Sequence, residues 1–216
     1  MDYKNKPDGY YNDSRKEMLV YLPKTAKKVL DVGCGNGIFG VLIKEVSNHA
    51  EVWGIELMQD EAEIAKKRLH KVLIGPCEEN IKHIPDNYFD VIYFNDVLEH
   101  MVDPYSVLDE VKNKLTSNGI IISSIPNIRY HNVLIPLIFK KQFEYEAYGV
   151  LDKTHLRFFT KKSIRKMYEN LNYKIIKHEG INGSKSLKPI LYNIPFLFTA
   201  TDIKYPQYAT VVSLNK

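Results

Sequence analysis

Apolar runs alternate with amphipathic stretches along the first half of the chain. The apolar runs are short and rich in β-branched and aromatic residues, which predicts strands at residues 28–32, 51–56, 71–74, 90–95 and 120–124. The stretches between them have the spacing of helices, at residues 38–46, 60–69 and 104–115. Strands that are apolar on both faces and alternate with helices are typical of parallel sheets covered on both sides, so the pattern predicts an α/β fold.

The rest of the chain is less regular. Residues 126–160 contain many aromatic residues and no clear period. A helix is predicted at 160–171, with Thr160 placed to cap its start, and two final strands at 173–179 and 208–214 are predicted to pair around an irregular excursion at 180–207. Together these elements predict a Rossmann-like, doubly wound, seven-stranded sheet. It would be mostly parallel, with a C-terminal antiparallel strand and helices on both faces.

The composition favours a folded chain of one domain. Of the 216 residues, 44% are hydrophobic and 26% are charged, so we expect a single domain over residues 1–216 with a helical cap at 1–27. The net charge of +4 lies in short basic pairs rather than one stripe, which argues against nucleic-acid binding. Cys34 and Cys77 lie in unrelated contexts, so we predict no zinc site and a reducing compartment. The polar N-terminus and the lack of a long apolar run predict a cytoplasmic protein with no membrane span.

The strongest chemical signal is the run VLDVGCGNG at residues 29–37. Glycine at alternate positions lets the backbone turn sharply and lets a ligand approach with no Cβ in the way. The helix that follows presents free N–H groups and the positive end of its dipole to a carboxylate or phosphate. Glu56 ends the next strand about twenty residues later, where an acid binds ribose hydroxyls. The pattern therefore predicts a nucleoside-containing cofactor at the carboxyl ends of the strands.

Two classes of cofactor satisfy this pattern. Gly35, Gly37 and Gly40 form GxGxxG, the fingerprint of dinucleotide binding, and that spacing alone is weakly specific. Asp31, however, places a carboxylate just before the first glycine, where a cationic amino-acid group is able to bind. Gly33 also starts the loop earlier than the dinucleotide fingerprint does. These two features favour S-adenosylmethionine (SAM) over a nicotinamide or flavin dinucleotide.

The glycine run resembles motif I of the class I SAM-dependent methyltransferases, and FDVIYFNDVLEH at residues 89–100 resembles the strand-four motif of their ubiquinone-biosynthesis-type subgroup. The segments YYNDSRKEML, SIPNIRYHNVL and GVLDKTHLRFFTKKSI are similar to a bacterial subset that often accompanies glycosyltransferases in surface-polysaccharide gene clusters. The likeness covers residues 10–173. It implies transfer of a methyl group from SAM to a small-molecule acceptor, with S-adenosylhomocysteine as the product.

The resemblance also implies a set of cofactor-binding residues: Tyr11, Arg15, Asp31, Gly33, Cys34, Gly35, Glu56, Leu57, Cys77 and Asn95. The glycine loop would line the methionine part of SAM, with Asp31 and Asn95 beside its amino group. Glu56 would hold both ribose hydroxyls, and Leu57 would cover the adenine. Tyr11 and Arg15, from the N-terminal segment, would close over the carboxylate of the cofactor.

The chain departs from the family pattern after the third strand. The family usually carries an acid there, in a Gly-Asp pair, that accepts the adenine amino group, whereas this chain has Gly75-Pro76-Cys77-Glu78. The proline has no side-chain acceptor. Adenine recognition therefore rests on the backbone of Cys77, on Glu78 or on neither.

Methyl transfer to a hydroxyl group needs a general base, and histidine suits this role at neutral pH. The catalytic candidates are His100, after the fourth strand, and His155, in the DKTH segment, and the alternative is that each holds a loop by hydrogen bonding. In the resembled subgroup an acid-rich EH segment is able to bind a divalent metal, which would involve Asp96, Glu99 and His100 here. We nevertheless predict no metal.

Residues 126–160 and 180–207 would form acceptor-side insertions or a lid. The candidate acceptor contacts are Asn127, Tyr130, His131 and Arg157, with loop packing, or an Arg157–Asp152 ion pair, as the alternative. The aromatic residues of 143–148 would cover the acceptor or contact a second subunit in a homodimer. We expect O-methylation of a sugar, nucleotide-sugar or related surface-glycan precursor, with a quinone-like phenol as the alternative acceptor. A dinucleotide-dependent oxidoreductase and a non-catalytic SAM-binding protein are the alternatives from other classes.

Overall fold

The computed structural model describes residues 14–215 of the chain. Its strands are β1 Lys28–Val32, β2 Glu51–Glu56, β3 Lys71–Ile74, β4 Phe89–Asn95, β5 Leu115–Pro126, β6 Tyr173–Ile181 and β7 Gln207–Leu214. They form one sheet in the order β3-β2-β1-β4-β5-β7-β6. Each described pair is parallel except those of β7, which runs antiparallel to both β5 and β6. This confirms the predicted seven-stranded, mostly parallel sheet with a C-terminal antiparallel strand.

Helices cover the sheet between the strands. The α-helices of the described chain are α1 Ile38–Val46, α2 Gln59–Ala65, α3 Cys77–Asn80, α4 Pro104–Glu110, α5 His131–Ile135, α6 Lys161–Asn170 and α7 Lys188–Asn193. Two of them begin at side-chain caps: Asp103 accepts hydrogen bonds from the first turn of α4, and Thr160 forms a reciprocal capping box with Ser163 at α6. Each such cap stabilises its helix by about 1 kcal/mol.

Strand β4 joins the two cores of the molecule. Its alternate residues point to opposite faces of the sheet, so Val91 and Tyr93 enter one hydrophobic cluster and Ile92 and Phe94 enter the other. All four side chains are fully buried. Burying a large apolar side chain contributes about 1.5–3 kcal/mol, so this strand is firmly held. The loops at its carboxyl end, and at the ends of its neighbours, therefore start from fixed points.

Several predicted boundaries differ from the structure. The helix predicted to reach residue 69 ends at Ala65, because tighter turns follow and Leu69 folds inward onto Gly40 and Gly54. The fifth strand begins at Leu115 rather than residue 120, since Leu115 pairs with the fourth strand before a shift in register. Helices α3, α5 and α7 lie in segments with no predicted helix. Among the described residues, no helix is long and apolar enough to cross a bilayer.

Candidate active site

A cleft of about 1200 Å³ opens at the carboxyl edge of the sheet. The glycine loop after β1 forms its floor, and residues at the ends of β2 and β4 form the adjoining wall. The two irregular segments complete it: Tyr148–Val150 come from 126–160, and Asn182 with Gln207 border the other segment. The cleft therefore lies where parallel α/β sheets bind their ligands.

Three glycines of the loop have the left-handed backbone conformation that other residues avoid. The φ angles of Gly33, Gly35 and Gly37 are 71°, 51° and 82°. The N–H groups of Gly33 and Cys34 both donate to the carbonyl of Ile55 on β2, at 2.8 and 3.1 Å. A Cβ at Gly33 would lie only 2.5 Å from Cγ2 of Val97, so close packing also requires glycine there. The loop is thus held rigidly across the ends of β1 and β2.

Glu56 lies at the end of β2 with its carboxylate fixed by two backbone groups. The N–H of Gly35 donates to Oε2 and the N–H of Met58 donates to Oε1, each at 2.8 Å. Burial raises the pKa of Glu56, while these two hydrogen bonds oppose the rise. A carboxylate oxygen accepts more than one hydrogen bond, so the oriented group keeps acceptor capacity toward the cleft. This geometry fits the predicted contact with two ribose hydroxyls.

Asp31, at the end of β1, is a buried acid in the wall of the cleft. Burial, with a smaller contribution from the charge of Glu56, raises its pKa from 3.8 to about 8. Burial first, and then the charges of these two acids, raise the pKa of the Cys34 thiol, which is therefore a neutral group in the loop. A cation bound beside Asp31 would offset the cost of its ionisation. The amino group of a bound amino acid would supply such a cation.

Asn95, at the end of β4, also lines the cleft. Its amide oxygen and nitrogen are both buried, and neither has a hydrogen-bond partner among the described residues. Buried polar atoms in native proteins are almost always paired, so a donor and an acceptor are expected from a ligand. Asp31 and Asn95 together therefore fit the amino-acid end of SAM.

The opposite end of the cleft has the features of an adenine site. Leu57 lies in its wall with 45% of its surface exposed, available to cover a flat ring. Gly75, with a φ of 115°, turns the chain after β3, and Asn80 fixes the turn by donating to the carbonyls of Ile74 and Pro76. Cys77 and Glu78 both line the cleft. This leaves them as the candidates for recognising adenine in place of the usual acid.

Arg15 lies in the wall of the cleft and joins three separate segments. Its guanidinium pairs with Asp96 at 2.7 Å and donates to Oγ of Ser124 at 2.6 Å. Gln207 accepts from the same guanidinium at 3.3 Å and donates to Asp96 at 2.8 Å. The other N-terminal candidate, Tyr11, lies outside the described residues. No sequence pattern indicated Gln207, because it follows an irregular segment far along the chain from its partners.

His100 and His155 meet at the cleft with their ring centroids 4.7 Å apart. Nδ1 of each ring lies 3.0 Å from a backbone carbonyl, that of Thr154 for His100 and that of Val150 for His155. A carbonyl only accepts hydrogen bonds, so Nδ1 carries the proton in the neutral ring and Nε2 carries the lone pair. The geometry thus gives both histidines the tautomer of a general base.

Glu99 is buried beside this pair, with Oε1 at 3.9 Å from Nε2 of His155. Neither carboxylate oxygen has a hydrogen-bond partner among the described residues. Burial, and then the charge of Asp96, raise the pKa of Glu99 well above its usual value. Glu99, His100 and His155 each offer one atom able to coordinate a metal ion, and these three atoms lie within 4.8 Å of one another. Asp96, considered with Glu99 and His100 from the sequence, is bound to Arg15 instead.

The candidate acceptor contacts lie outside the wall of the cleft. Asn127 is fully buried and holds loops together: its amide donates to the carbonyls of Asp202 and Tyr205, and its oxygen accepts from the N–H of Arg129. Arg157 is exposed and donates to the carbonyl of Val102 rather than pairing with Asp152. Their contact with an acceptor remains a prediction, as does that of two further candidates that pack against each other, Tyr130 and His131.

The glycine loop, the acid predicted to bind ribose and the unpaired amide at the strand ends match the class I methyltransferase architecture. A SAM-dependent methyltransferase from Archaeoglobus fulgidus has this fold, with a TM-score of 0.70 at 21% identity, over 92% of this chain and 91% of that one. The methyltransferase-domain family model matches residues 3–178, and the chain belongs to that family. Fold and family together imply SAM as the cofactor, which decides between the two classes of cofactor that the glycine loop allowed.

Curated relatives match shorter stretches. An uncharacterized methyltransferase of Schizosaccharomyces pombe is 31% identical over 140 residues, which are 60% of this chain and 48% of the relative. A ubiquinone biosynthesis O-methyltransferase of a Shewanella species is 31% identical over 121 residues, half of each chain. This chain thus spans about half the length of these relatives.

Proposed function

We propose that the protein transfers a methyl group from SAM to an oxygen atom of a small acceptor. The observation that carries this is the histidine pair, in which hydrogen bonds to the carbonyls of Thr154 and Val150 leave the lone pairs on Nε2. Bound SAM supplies the electrophilic methyl group. A neutral amine needs no base to attack it, whereas a hydroxyl group gains from a residue that takes its proton. Two oriented bases in the cleft therefore favour oxygen as the acceptor atom.

In this proposal the protein positions the cofactor and the acceptor and removes the proton of the acceptor hydroxyl. Asp31, Asn95 and Glu56 hold the cofactor at the strand ends, so its reactive centre has one place in the cleft. The acceptor hydroxyl would contact Nε2 of His100 or His155 and give that atom its proton. The methyl group supplied by bound SAM would leave sulfur for the acceptor oxygen, with S-adenosylhomocysteine as the product. Oε1 of buried Glu99 lies 3.9 Å from Nε2 of His155, and a positive charge on that ring would favour the ionised form of the acid. The segment around Tyr148 lines the same cleft as the two histidines.

The acceptor has two candidate classes. The first is a sugar, nucleotide-sugar or related surface-glycan precursor, which rests on the sequence resemblance alone. The second is a quinone-like phenol, supported by the ubiquinone biosynthesis O-methyltransferases among the relatives and by the apolar residues Met101, Val102 and Val150 in the wall of the cleft. Both classes offer a hydroxyl group to a base.

The test is a transfer assay with methyl-labelled SAM and a panel of nucleotide sugars, catechols and primary amines. We expect label on a hydroxyl acceptor, with loss of that activity in His100→Asn and retention in His83→Asn, a change of an exposed histidine elsewhere. Preferential labelling of amines would refute O-methylation. Tight SAM binding without turnover of any compound in the panel would support a non-catalytic SAM-binding protein instead.

A further inference from the structure

An exposed apolar surface is formed by two segments that lie outside the wall of the cleft, one after β5 and the other before β7. We call it the apolar ridge, and it consists of residues 137–139, after α5, and residues 187–198, which include α7. Its large hydrophobic side chains are unusually open to solvent, with exposed fractions of 72% for Phe139, 71% for Leu187, 60% for Leu191, 83% for Leu197 and 58% for Phe198. The two segments are linked through α5, which leads directly into 137–139 and packs against α7, with the rings of His131 and Tyr192 6.1 Å apart. Contiguous exposed apolar surface of this kind marks an interaction site.

The backbone holds the tip of the ridge in a strained conformation that displays apolar groups. Leu197 and Phe198 have φ angles of 50° and 60°, a region costing roughly 1–2 kcal/mol for residues with a side chain. Buried Asn193 maintains the tip: its carbonyl accepts from the N–H of Phe198 and its side chain accepts from the N–H of Ala200. The exposure of Leu197 is therefore built into the fold rather than left by a loose loop.

The two stretches of sequence that contain the ridge carry basic residues and no acid. Residues 128–143 and 180–201 contain no aspartate or glutamate. Lys140, Lys141, Lys185 and Lys188 are exposed, and none is within ion-pair distance of a described acid. The nearby Arg129 differs, because it is paired with Asp202. The ridge thus combines projecting leucine and phenylalanine side chains with a surround of free ammonium groups.

We propose that the apolar ridge docks the protein on the surface of an anionic lipid bilayer. Leucine and phenylalanine side chains enter the boundary between headgroups and acyl chains, while lysines contact the anionic headgroups. A protein partner would need no such excess of cations, whereas a negative membrane surface complements it. The helices are short, so the insertion is shallow and peripheral.

Co-sedimentation of the full chain with vesicles tests the proposal. We expect binding to vesicles of phosphatidylcholine with phosphatidylglycerol, weaker binding to phosphatidylcholine alone, and weakening by salt for the anionic vesicles. Phe139→Glu with Leu197→Glu should reduce the partition at least about tenfold, and Lys140→Gln with Lys141→Gln should reduce it on anionic vesicles only. Ile176→Glu is the matched control, because Ile176 is 57% exposed on β6, at the edge of the sheet.

Unchanged melting temperatures and SAM affinities would show that the variants are folded. Equal sedimentation of the wild type with and without vesicles would overturn the proposal, as would equal vesicle binding by the Phe139/Leu197 variant. Light scattering, which measures the oligomeric state, tests separately whether the ridge binds a second copy of this chain instead of a membrane. A wild-type dimer that Leu197→Glu converts to a monomer, with no vesicle binding, would assign the ridge to a second copy of this chain and reject the lipid surface.

Discussion

The backbone N–H of Gly35 donates a 2.8 Å hydrogen bond to Oε2 of Glu56. This bond connects the two strongest signals in the sequence, the glycine loop after β1 and the acid at the end of β2. The loop that would approach the methionine part of SAM and the group that would hold its ribose are therefore one rigid unit. A change at either residue should disturb the cofactor site as a whole.

The first prediction concerns Glu56→Gln. The amide nitrogen of glutamine cannot accept a hydrogen bond, so one of the N–H groups of Gly35 and Met58 loses its acceptor. The ribose loses a charged acceptor as well. Hydrogen bonds to charged groups contribute about 1.5–3 kcal/mol, so we expect SAM affinity to fall about ten- to hundredfold in calorimetric titration. Glu63→Gln, an exposed change on α2, is the control and should bind SAM like the wild type.

The second prediction uses the buried acid Asp31. Its pKa in the fold, about 8, lies above its ordinary value of 3.8, so its contribution to stability is fully present below about pH 4 and is lost as the pH rises to 8. The amide of the Asp31→Asn variant does not ionise, so this loss should be absent there. We therefore expect the melting temperature of the wild type, relative to that of the variant, to fall by several degrees between pH 4 and 8. Each kcal/mol of lost unfolding free energy lowers the melting temperature by about 2–4 °C.

The cofactor provides the control for that experiment. A bound SAM amino group favours the ionised form of Asp31, so saturating SAM should flatten the pH dependence of the wild type. If the melting temperatures of the wild type and of Asp31→Asn differ by a constant amount from pH 4 to 8 without ligand, then Asp31 is ionised in the unliganded fold. The assignment of Asp31 to a dry site beside the cofactor amino group would then fail.

The sheet, and the meeting of the cofactor-binding candidates at its edge, could be predicted because local patterns determine them. Continuous apolar runs mark β1 and β2, and the residues that end them, near Asp31 and at Glu56, must meet at one edge of a parallel sheet. The link from Arg15 to Asp96 and Gln207 could not be predicted, since it joins residues far apart in sequence through side-chain geometry alone. The short helices α5 and α7 were missed for another reason. Helix α5 has only five residues, too few to show a helical period, and α7 exposes the apolar Ile190 and Leu191, so it lacks the amphipathic pattern on which such predictions depend.

The third prediction separates a structural role from acceptor binding at Asn127. Its side chain makes three hydrogen bonds to backbone groups and is fully buried. Removing it in Asn127→Ala leaves two carbonyls and one N–H group unpaired, which should lower the free energy of unfolding by about 2–4 kcal/mol. We expect a clearly lower melting temperature with SAM affinity unchanged below the transition. Normal stability with a raised KM for the acceptor would instead make Asn127 an acceptor contact.

The fourth prediction addresses the histidine pair. In His100→Asn the amide N–H still donates to the carbonyl of Thr154, so the local hydrogen bond is retained while the base is lost. His100 is more exposed than His155, which is only 7% exposed. We therefore expect substitution of His100 to lower the rate more than substitution of His155. Loss of a general base lowers kcat about 10²–10⁴-fold, and we expect the Kd for SAM to stay unchanged.

The pH profile distinguishes a base from a structural histidine. A protonated imidazole accepts no further proton, so the wild-type rate should fall as the pH falls. The residual rate of His100→Asn should not show this fall, whereas a variant that merely misplaces the acceptor would be slower at every pH and keep the same profile. If His155→Asn, and not His100→Asn, loses the low-pH decline, then His155 is the base and His100 positions it. If both variants keep the wild-type profile, neither histidine takes the proton and the O-methylation proposal loses its main support.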